Sequence, residues 1–149
     1  MPHQDKVKKL SRTKSHREAM LRNLATSLFA NRTIQTTDAK AKELRRVVDR
    51  IVITARKDTL AARRQVARKI KDKKVLKKLF DEIIPQLKDR DSGYTRVMKA
   101  GFRRGDNALM SRVELLIEKP KSEKDSGKKK GKKKTSTAKA KTKARAAKE

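Results

Sequence analysis

The residues that could carry catalytic chemistry are few in this sequence. It has no cysteine, and histidine occurs only at His3 and His16. Without cysteine there are no disulfides, thiolate zinc sites or cysteine nucleophiles, and two histidines cannot form a three-histidine zinc site. His16 adjoins Ser15, but a catalytic triad needs a histidine held between nucleophile and acid, and we assign Ser15 to a helix cap. We therefore predict a protein that is not an enzyme and needs no metal or cofactor.

The sequence also lacks the patterns typical of nucleotide-binding sites and of membrane-spanning segments. The glycine-flanked segment Gly101–Gly105 lacks the Lys-Ser/Thr ending of a phosphate-binding loop, so we expect no nucleotide or other small-molecule substrate. No run of 18 or more apolar residues is present, so no membrane-spanning segment is predicted. We see no apolar region typical of a secretory signal near the N-terminus, and we predict a cytoplasmic protein.

The charge of the chain points to a polyanionic partner. The 45 Lys and Arg residues outnumber the 17 Asp and Glu residues, giving a net charge of +28 and a pI near 10.9. Such a charge repels itself unless a polyanion lies nearby, and a pI above about 9 is typical of nucleic-acid-binding domains. An anionic membrane surface is the second candidate.

The candidate contacts are clustered basic residues. Those near the N-terminus precede or begin the first predicted helix, whose free N–H groups and dipole already attract phosphate. Glycines flank Arg103 and Arg104, and this allows their backbone to approach a phosphate closely. The residues that we expect to contact RNA on these grounds are Lys8, Lys9, Arg12, Lys14, His16, Arg17, Arg22, Asn23, Arg103 and Arg104.

The aromatic residues indicate how RNA would be recognised. There are four, and Phe29 and Phe80 lie at apolar positions of predicted helices, leaving Tyr94 and Phe102. Proteins that read single-stranded RNA stack its bases on several aromatic side chains. We therefore expect recognition of folded RNA by shape and phosphate position.

Apolar residues at helical spacing predict four helices. Ser15 and Glu18 form a capping-box pattern for the first helix, which should end near Ala30. Pro85 should end the fourth helix nearby. The predicted starts of the other three helices are Thr37 or Asp38, Asp58 or Thr59, and Asp72. The predicted apolar positions are Met20, Leu21, Leu24, Ala25, Leu28 and Phe29; Leu44, Val47, Val48, Ile51, Val52 and Ala55; Leu60, Val66, Ala67 and Ile70; and Val75, Leu76, Leu79, Phe80, Ile83 and Ile84.

Three further segments have the character of strands. Residues 32–37 are short and rich in β-branched side chains, and residues 94–99 and 109–117 flank a basic turn and form a predicted hairpin. Apolar residues alternate along the last segment. The predicted fold is α+β, with about four helices packed on a small three-stranded sheet.

The last part of the chain differs in composition from the rest. We predict one RNA-binding domain at residues 1–118, with a basic N-terminal arm at residues 1–14, and a disordered Lys/Ala-rich tail at residues 119–149. All the Leu, Ile, Val and Phe residues precede the tail. The tail is either a solubilising segment without a specific target or a flexible polycation that lies on phosphates.

Several stretches of this sequence resemble the bacterial large-subunit ribosomal protein seventeen family. They are KLSRT at residues 9–13, SHREAMLRNL at 15–24, TTDAKAKELRR at 36–46, GYTR at 93–96 and RRGD at 103–106. With the segments between them, the resemblance covers most of residues 3–117. It implies an α+β protein that binds large-subunit rRNA near the exit of the nascent-peptide tunnel, beside neighbouring large-subunit ribosomal proteins. The GYTR stretch adds Arg96 to the residues that we expect to contact RNA.

The function that we predict is that of a ribosome-bound structural constituent of the large subunit. The alternative is a DNA-compacting, chromatin-like basic protein, for which a Lys/Ala-rich tail and a small basic body would also be suitable. A third possibility is an adaptor that docks nascent-chain factors through its tail. The motif of the first helix favours the ribosomal interpretation over the DNA-compacting one, because a DNA compactor has no need of it.

Overall fold

The computed structural model describes residues 8–117 of the 149-residue chain. The predicted tail and the first seven residues of the predicted arm lie outside the described residues. Within the described part, four helices pack on a three-stranded antiparallel sheet, which confirms the predicted α+β fold. The elements are α1 Lys14–Asn31, β1 Thr33–Thr37, α2 Asp38–Ala55, α3 Leu60–Ala67, α4 Lys73–Lys78 with a π-helical continuation Leu79–Ile83 and a last turn Ile84–Gln86, β2 Thr95–Phe102 and β3 Leu109–Leu115.

The sheet has the strand order β1-β3-β2, so the last strand is central. Val113 of β3 pairs with Ile34 of β1 on one side and with Val97 of β2 on the other. Along β3, Ser111, Val113 and Leu115 are buried, as the predicted alternation requires. One face of the sheet therefore contacts the helices and the other faces solvent, as is common for antiparallel sheets.

The core lies between the helices and this sheet face. Most predicted apolar positions are buried in it, with Leu28 and Phe29 of α1 and Val48 of α2 completely inaccessible to solvent. The others are half-buried, except for Leu60, which is 65% exposed. The buried positions of this segment, Ala62, Val66 and Ile70, are spaced by four residues, and at about 100° per residue Leu60 points roughly 200° away from Ala62.

The predicted capping box at the start of α1 is wrong. The helix begins at Lys14, with Thr13 at the N-cap position and without a side-chain cap hydrogen bond. The Arg17 N–H donates to the Thr13 carbonyl oxygen at 3.0 Å, so helical hydrogen bonding is established before the chain reaches Ser15. Ser15 lies inside the first turn, where its backbone is already helical and cannot adopt the extended N-cap conformation.

The predicted caps of α3 and α4 are confirmed. The Thr59 hydroxyl accepts the Ala62 N–H at 3.2 Å, and the Asp72 carboxylate accepts the Lys74 N–H at 2.8 Å. Thr37 occupies the N-cap position of α2, but its side chain makes no cap hydrogen bond. Short polar side chains that satisfy the free N–H groups of a helix therefore fix the starts of both α3 and α4.

Candidate nucleic-acid interface

The described part of the N-terminal arm folds into a tight turn. Leu10 and Ser11 both have positive φ angles, 55° and 52°, and the Arg12 N–H donates to the Lys9 carbonyl oxygen at 3.2 Å. Two consecutive positive φ angles are typical of a type I′ turn, and residues other than glycine are strained in this conformation. The Arg12 guanidinium also donates to the Leu10 carbonyl oxygen at 3.1 Å. Lys8 and Lys9 are exposed just before this turn.

The predicted contacts on α1 do not share one face. Lys14 and His16 are exposed in the first turn, whereas Arg17 and Arg22 are half-buried and Asn23 is exposed. Arg22 lies five positions after Arg17, so the two arginines point about 140° apart around the helix axis. α1 therefore presents basic side chains on both sides of its buried stripe.

The hairpin tip, residues 103–108 between β2 and β3, contains an internal ion pair. The Arg103 guanidinium donates to both carboxylate oxygens of Asp106, at 3.0 and 2.5 Å. This pairing, with a further hydrogen bond from the Ala108 N–H, lowers the pKa of Asp106 to about 2. The charge of Arg103 is thus balanced within the tip. Arg104 is exposed beside it, with no side-chain hydrogen bond to the rest of residues 8–117.

Arg96 lies on a different surface from the α1 residues. Its neighbours in the strand, Thr95 and Val97, point toward the core, so Arg96 projects from the solvent-facing side of the sheet. Arg96 lies opposite Glu114 in the β2–β3 register. The Glu114 carboxylate forms an ion pair with the Arg112 guanidinium at 2.9 Å. The structure therefore distributes the predicted contacts among the arm, both sides of α1, the hairpin tip and the outer face of the sheet.

Between α2 and the sheet lies a groove of about 660 Å³, which we call the α2–sheet groove. It is lined by both cations and carboxylates, and each carboxylate has a cationic partner on α2. The charged residues that line it are Lys8, Lys42, Arg45, Arg46, Lys99, Asp38, Glu43 and Asp49. The partners are Lys42 for Asp38 at 2.7 Å, Arg46 for Glu43 at 3.5 Å and Arg45 for Asp49 at 3.8 Å.

The carboxylates of the α2–sheet groove differ in their surroundings. Hydrogen bonds from Lys42 and from the Ser111 hydroxyl lower the pKa of Asp38. Burial raises the pKa of Asp49, against the opposing effects of the nearby Arg45 charge and of a hydrogen bond from the Tyr94 backbone. The Ser111 hydroxyl, which donates to Asp38 at 2.9 Å, thus joins α2 to β3, and the cations around both carboxylates are partly neutralised.

Neither a candidate metal-ion site nor a membrane-spanning helix is found among residues 8–117. No group of three or more His, Asp or Glu side chains between residues 8 and 117 is arranged to hold a metal ion. No helix in the same range is long and apolar enough to span a lipid bilayer.

Comparison with known proteins identifies the family. The family model for ribosomal protein L17 matches residues 20–116. The chain belongs to the ribosomal protein L17 family. The large ribosomal subunit protein bL17 of Geobacter sulfurreducens is 51% identical over 118 residues, which cover 79% of this chain and 67% of that protein. The protein of the same name from Geobacter metallireducens is 46% identical over 128 residues, covering 86% and 72%. The resemblance inferred from the sequence is confirmed.

The aromatic residues of this L17-family chain serve mainly in packing. Phe29 and Tyr94 are fully buried, and Phe80 is half-buried beneath the Arg63 guanidinium, 4.9 Å from the ring centre. Phe102, which is 68% exposed, stands beside the hairpin tip. One exposed ring is too few for a platform that stacks successive bases, so the structure is consistent with recognition through phosphates and shape.

Arg56 has a positioning role that the sequence did not suggest. Its guanidinium donates to the Arg90 and Lys88 carbonyl oxygens at 2.7 and 3.0 Å and to the Tyr94 hydroxyl at 2.9 Å. The Tyr94 hydroxyl in turn donates to the Asp91 carbonyl oxygen at 2.8 Å. These bonds fix the loop between α4 and β2, and a pattern search could not find them because the partners are backbone carbonyl groups.

Proposed function

We propose that this chain is a structural constituent of the large ribosomal subunit and that it binds large-subunit rRNA through its basic surface. The membership in the L17 family carries the proposal, since two relatives at 51% and 46% identity bear the name of a large-subunit protein. The exposed cations on the arm, on α1 and at the hairpin tip supply a physical means of binding. The proposed role is architectural, and it involves no catalytic step.

The binding that we propose is electrostatic and shape-dependent. Each Lys or Arg that meets a phosphate releases condensed counterions, which favours binding and makes it sensitive to salt. Exposed Asn23 and Arg104 would contact the RNA directly, while the turn at residues 9–12 would hold the arm in a fixed direction. Contacts to phosphate and sugar set the position of a protein on RNA, and the fixed arrangement of these groups would select a folded RNA shape.

The test is a nucleotide-resolution protein–RNA crosslink map of purified large subunits. We expect crosslinks from residues 12–23 and from Arg104 to a compact set of rRNA helices. Crosslinks from residues 119–149 alone, or crosslinks scattered over many RNAs, would contradict the proposal. They would instead favour a non-specific polycation or the DNA-compacting alternative, and binding to duplex DNA measured in parallel would separate these two.

The same map tests the finer placement. We propose that the protein lies near the exit of the nascent-peptide tunnel, beside other large-subunit proteins and in the cytoplasm as part of the ribosome. Crosslinks to rRNA helices that border the exit support this placement. A compact footprint elsewhere on the large subunit would leave rRNA binding intact and would show the tunnel-exit placement to be wrong.

A further inference from the structure

Two adjoining surface grooves meet where α1, α2 and α3 come together, and we call the combined feature the α1–α3 groove. The part between α2 and α3 has a volume of about 490 Å³, and the part between α1 and the turn after α3 about 430 Å³. Arg22 and Lys69 line both parts, so the two form one continuous depression. Its other polar lining residues are Asn23, Thr26, Ser27, Arg50, Thr54, Gln65, Arg68, Lys71 and Asp72.

Cations dominate this lining. Five cationic side chains line the two parts together, against the single carboxylate of Asp72. Asp72 accepts the Lys74 N–H at 2.8 Å as the cap of α4, so its negative charge is directed toward a helix N-terminus. The α2–sheet groove also has five cations, but they face three carboxylates, each of which is paired. An anionic ligand is therefore attracted much more strongly to the α1–α3 groove.

The cations of the α1–α3 groove are available to a ligand. The side chains of Arg50, Arg68, Lys69 and Lys71 are exposed, and none makes a salt bridge within the described part of the chain. Arg22 keeps one half-exposed ion pair with Glu18 at 3.3 Å, at the protein surface, where such pairs contribute little to stability. Such a pair can exchange its partner for a phosphate at small cost.

Lys69 and Lys71 are held in place by the residue between them. Ile70 is 1% exposed and belongs to the hydrophobic core. The backbone on both sides of it is therefore fixed, and the Ile70 N–H donates to the Val66 carbonyl oxygen at 2.9 Å. A segment with a buried anchor positions its two flanking lysines at the rim of the groove, whereas a mobile loop would not.

The neutral groups of the groove match a ribose–phosphate chain. The hydroxyls of Thr26 and Thr54 donate to the carbonyl oxygens of Arg22 and Arg50, each at 2.9 Å. The proton of each hydroxyl is thus already in a hydrogen bond. The hydroxyl oxygen can still accept one, and a ribose 2′-hydroxyl can donate it. No aromatic side chain lines the groove, so it has no surface on which bases would stack.

We propose that the α1–α3 groove binds the sugar–phosphate backbone of RNA, with Arg22, Arg50, Arg68, Lys69 and Lys71 in contact with phosphates. This inference rests on the proposed function, because it takes the RNA to be rRNA. It extends the interface beyond the residues that the sequence singled out, since four of these five cations come from α2, from the end of α3 and from the turn after it.

The test uses the full-length chain and a transcript of large-subunit rRNA with excess transfer RNA as competitor. The groove variant is Arg50→Gln with Lys69→Gln. The matched control is Arg64→Gln with Lys77→Gln, which removes the same two charges from exposed positions that line neither groove. Circular dichroism and thermal melting confirm that both variants fold, and the dissociation constant is measured over a range of salt concentrations.

We expect the groove variant to bind about tenfold more weakly than the unsubstituted chain, and its salt dependence to fall by about two phosphate contacts. The control should change affinity less than about threefold, since it loses only long-range attraction. The exchange Arg50→Lys with Lys69→Arg should restore most of the affinity, because it keeps both charges.

Equal losses in the groove variant and the control would overturn the proposal, because only the net charge would then matter. A groove variant that binds the transcript normally but no longer enters large subunits would also overturn it, in favour of a protein contact. Failure of the unsubstituted chain to bind the transcript above the competitor is a different outcome. It would contradict the proposed rRNA binding itself.

Discussion

The α1–α3 groove and the hairpin tip are both rich in basic residues, but they differ in what surrounds those residues. In the groove, five cations from α1, α2 and the turn after α3 share the lining with one carboxylate. At the tip, Arg103 is bound by Asp106, three residues further along the chain. A nearby acid has thus neutralised one of the two arginines that the sequence made most prominent. The local sequence shows that a cation is present, while the availability of that cation depends on its neighbours in space.

The largest effect that we expect concerns the anchor of the groove. Ile70→Ala should lower the free energy of unfolding by about 2–5 kcal/mol, because it leaves a cavity under Lys69 and Lys71. Leu60→Ala, at a side chain that is 65% exposed, should change it by no more than about 0.5 kcal/mol. Urea denaturation of the two variants measures both values. Similar values for the two would show that the segment around Ile70 is not fixed by the core.

A second prediction concerns the charge at the tip. Asp106→Asn removes the partner of Arg103 and should strengthen rRNA binding about threefold, with a salt dependence increased by about one phosphate contact. The amide oxygen of Asn can still accept the Ala108 N–H, so the turn should persist. Filter binding at several salt concentrations measures the change. An unchanged affinity would mean that the tip does not approach RNA.

A third substitution removes both members of the pair. Arg103→Gln with Asp106→Asn leaves the net charge unchanged and should alter rRNA affinity by less than about twofold, because the two charges already cancel locally. Filter binding measures the affinity, and the groove variant serves as the reference for a large loss of affinity. A loss as great as that of the groove variant would show that Arg103 exchanges Asp106 for a phosphate, and the contrast between the two regions would disappear.

The smallest effect is a titration. The Asp106 carboxyl has a pKa of about 2, below its ordinary value, so the pair's contribution to stability is complete above the unfolded-state pKa of about 3.9 and is lost as the pH falls toward 2. The carboxyl carbon shift of Asp106, followed by NMR, should therefore have its midpoint near pH 2. In Arg103→Gln the midpoint should move up toward the ordinary value. A midpoint near 4 in the unsubstituted chain would show that the pair is not formed in solution.

Local patterns predicted those parts of the fold that depend on local forces. The caps at Thr59 and Asp72 were identified correctly, because an N-cap involves groups only two or three residues apart. The cap at Ser15 was assigned wrongly, since the turn at Leu10 and Ser11 precedes the helix and helical bonding already starts from Thr13. The expectation that Leu60 joins the core is wrong, because the four-residue spacing of the buried positions near it places it on the solvent side.

The candidate interface was predictable to a smaller extent. Sequence reasoning selected clusters along the chain, and Arg22 and Asn23 do line the α1–α3 groove. It assigned no contact to Arg50, Arg68, Lys69 or Lys71, because an exposed lysine or arginine is often no more than solvated surface. Their significance appears only when α2 and α3 pack beside α1. The contacts of the predicted RNA-binding residues remain predictions.

The sequence by itself determined four features of this protein. They are its large positive charge, the apolar stripes that require a core, the residues that cap helices, and the family to which the chain belongs. These follow from residue types and from spacings within a few positions. Only the tertiary structure decided which cations from distant parts of the chain lie together, such as Lys69 beside Arg22. The reason is that electrostatic attraction depends on distances in space, and burial of side chains such as Ile70 and Val66 sets those distances.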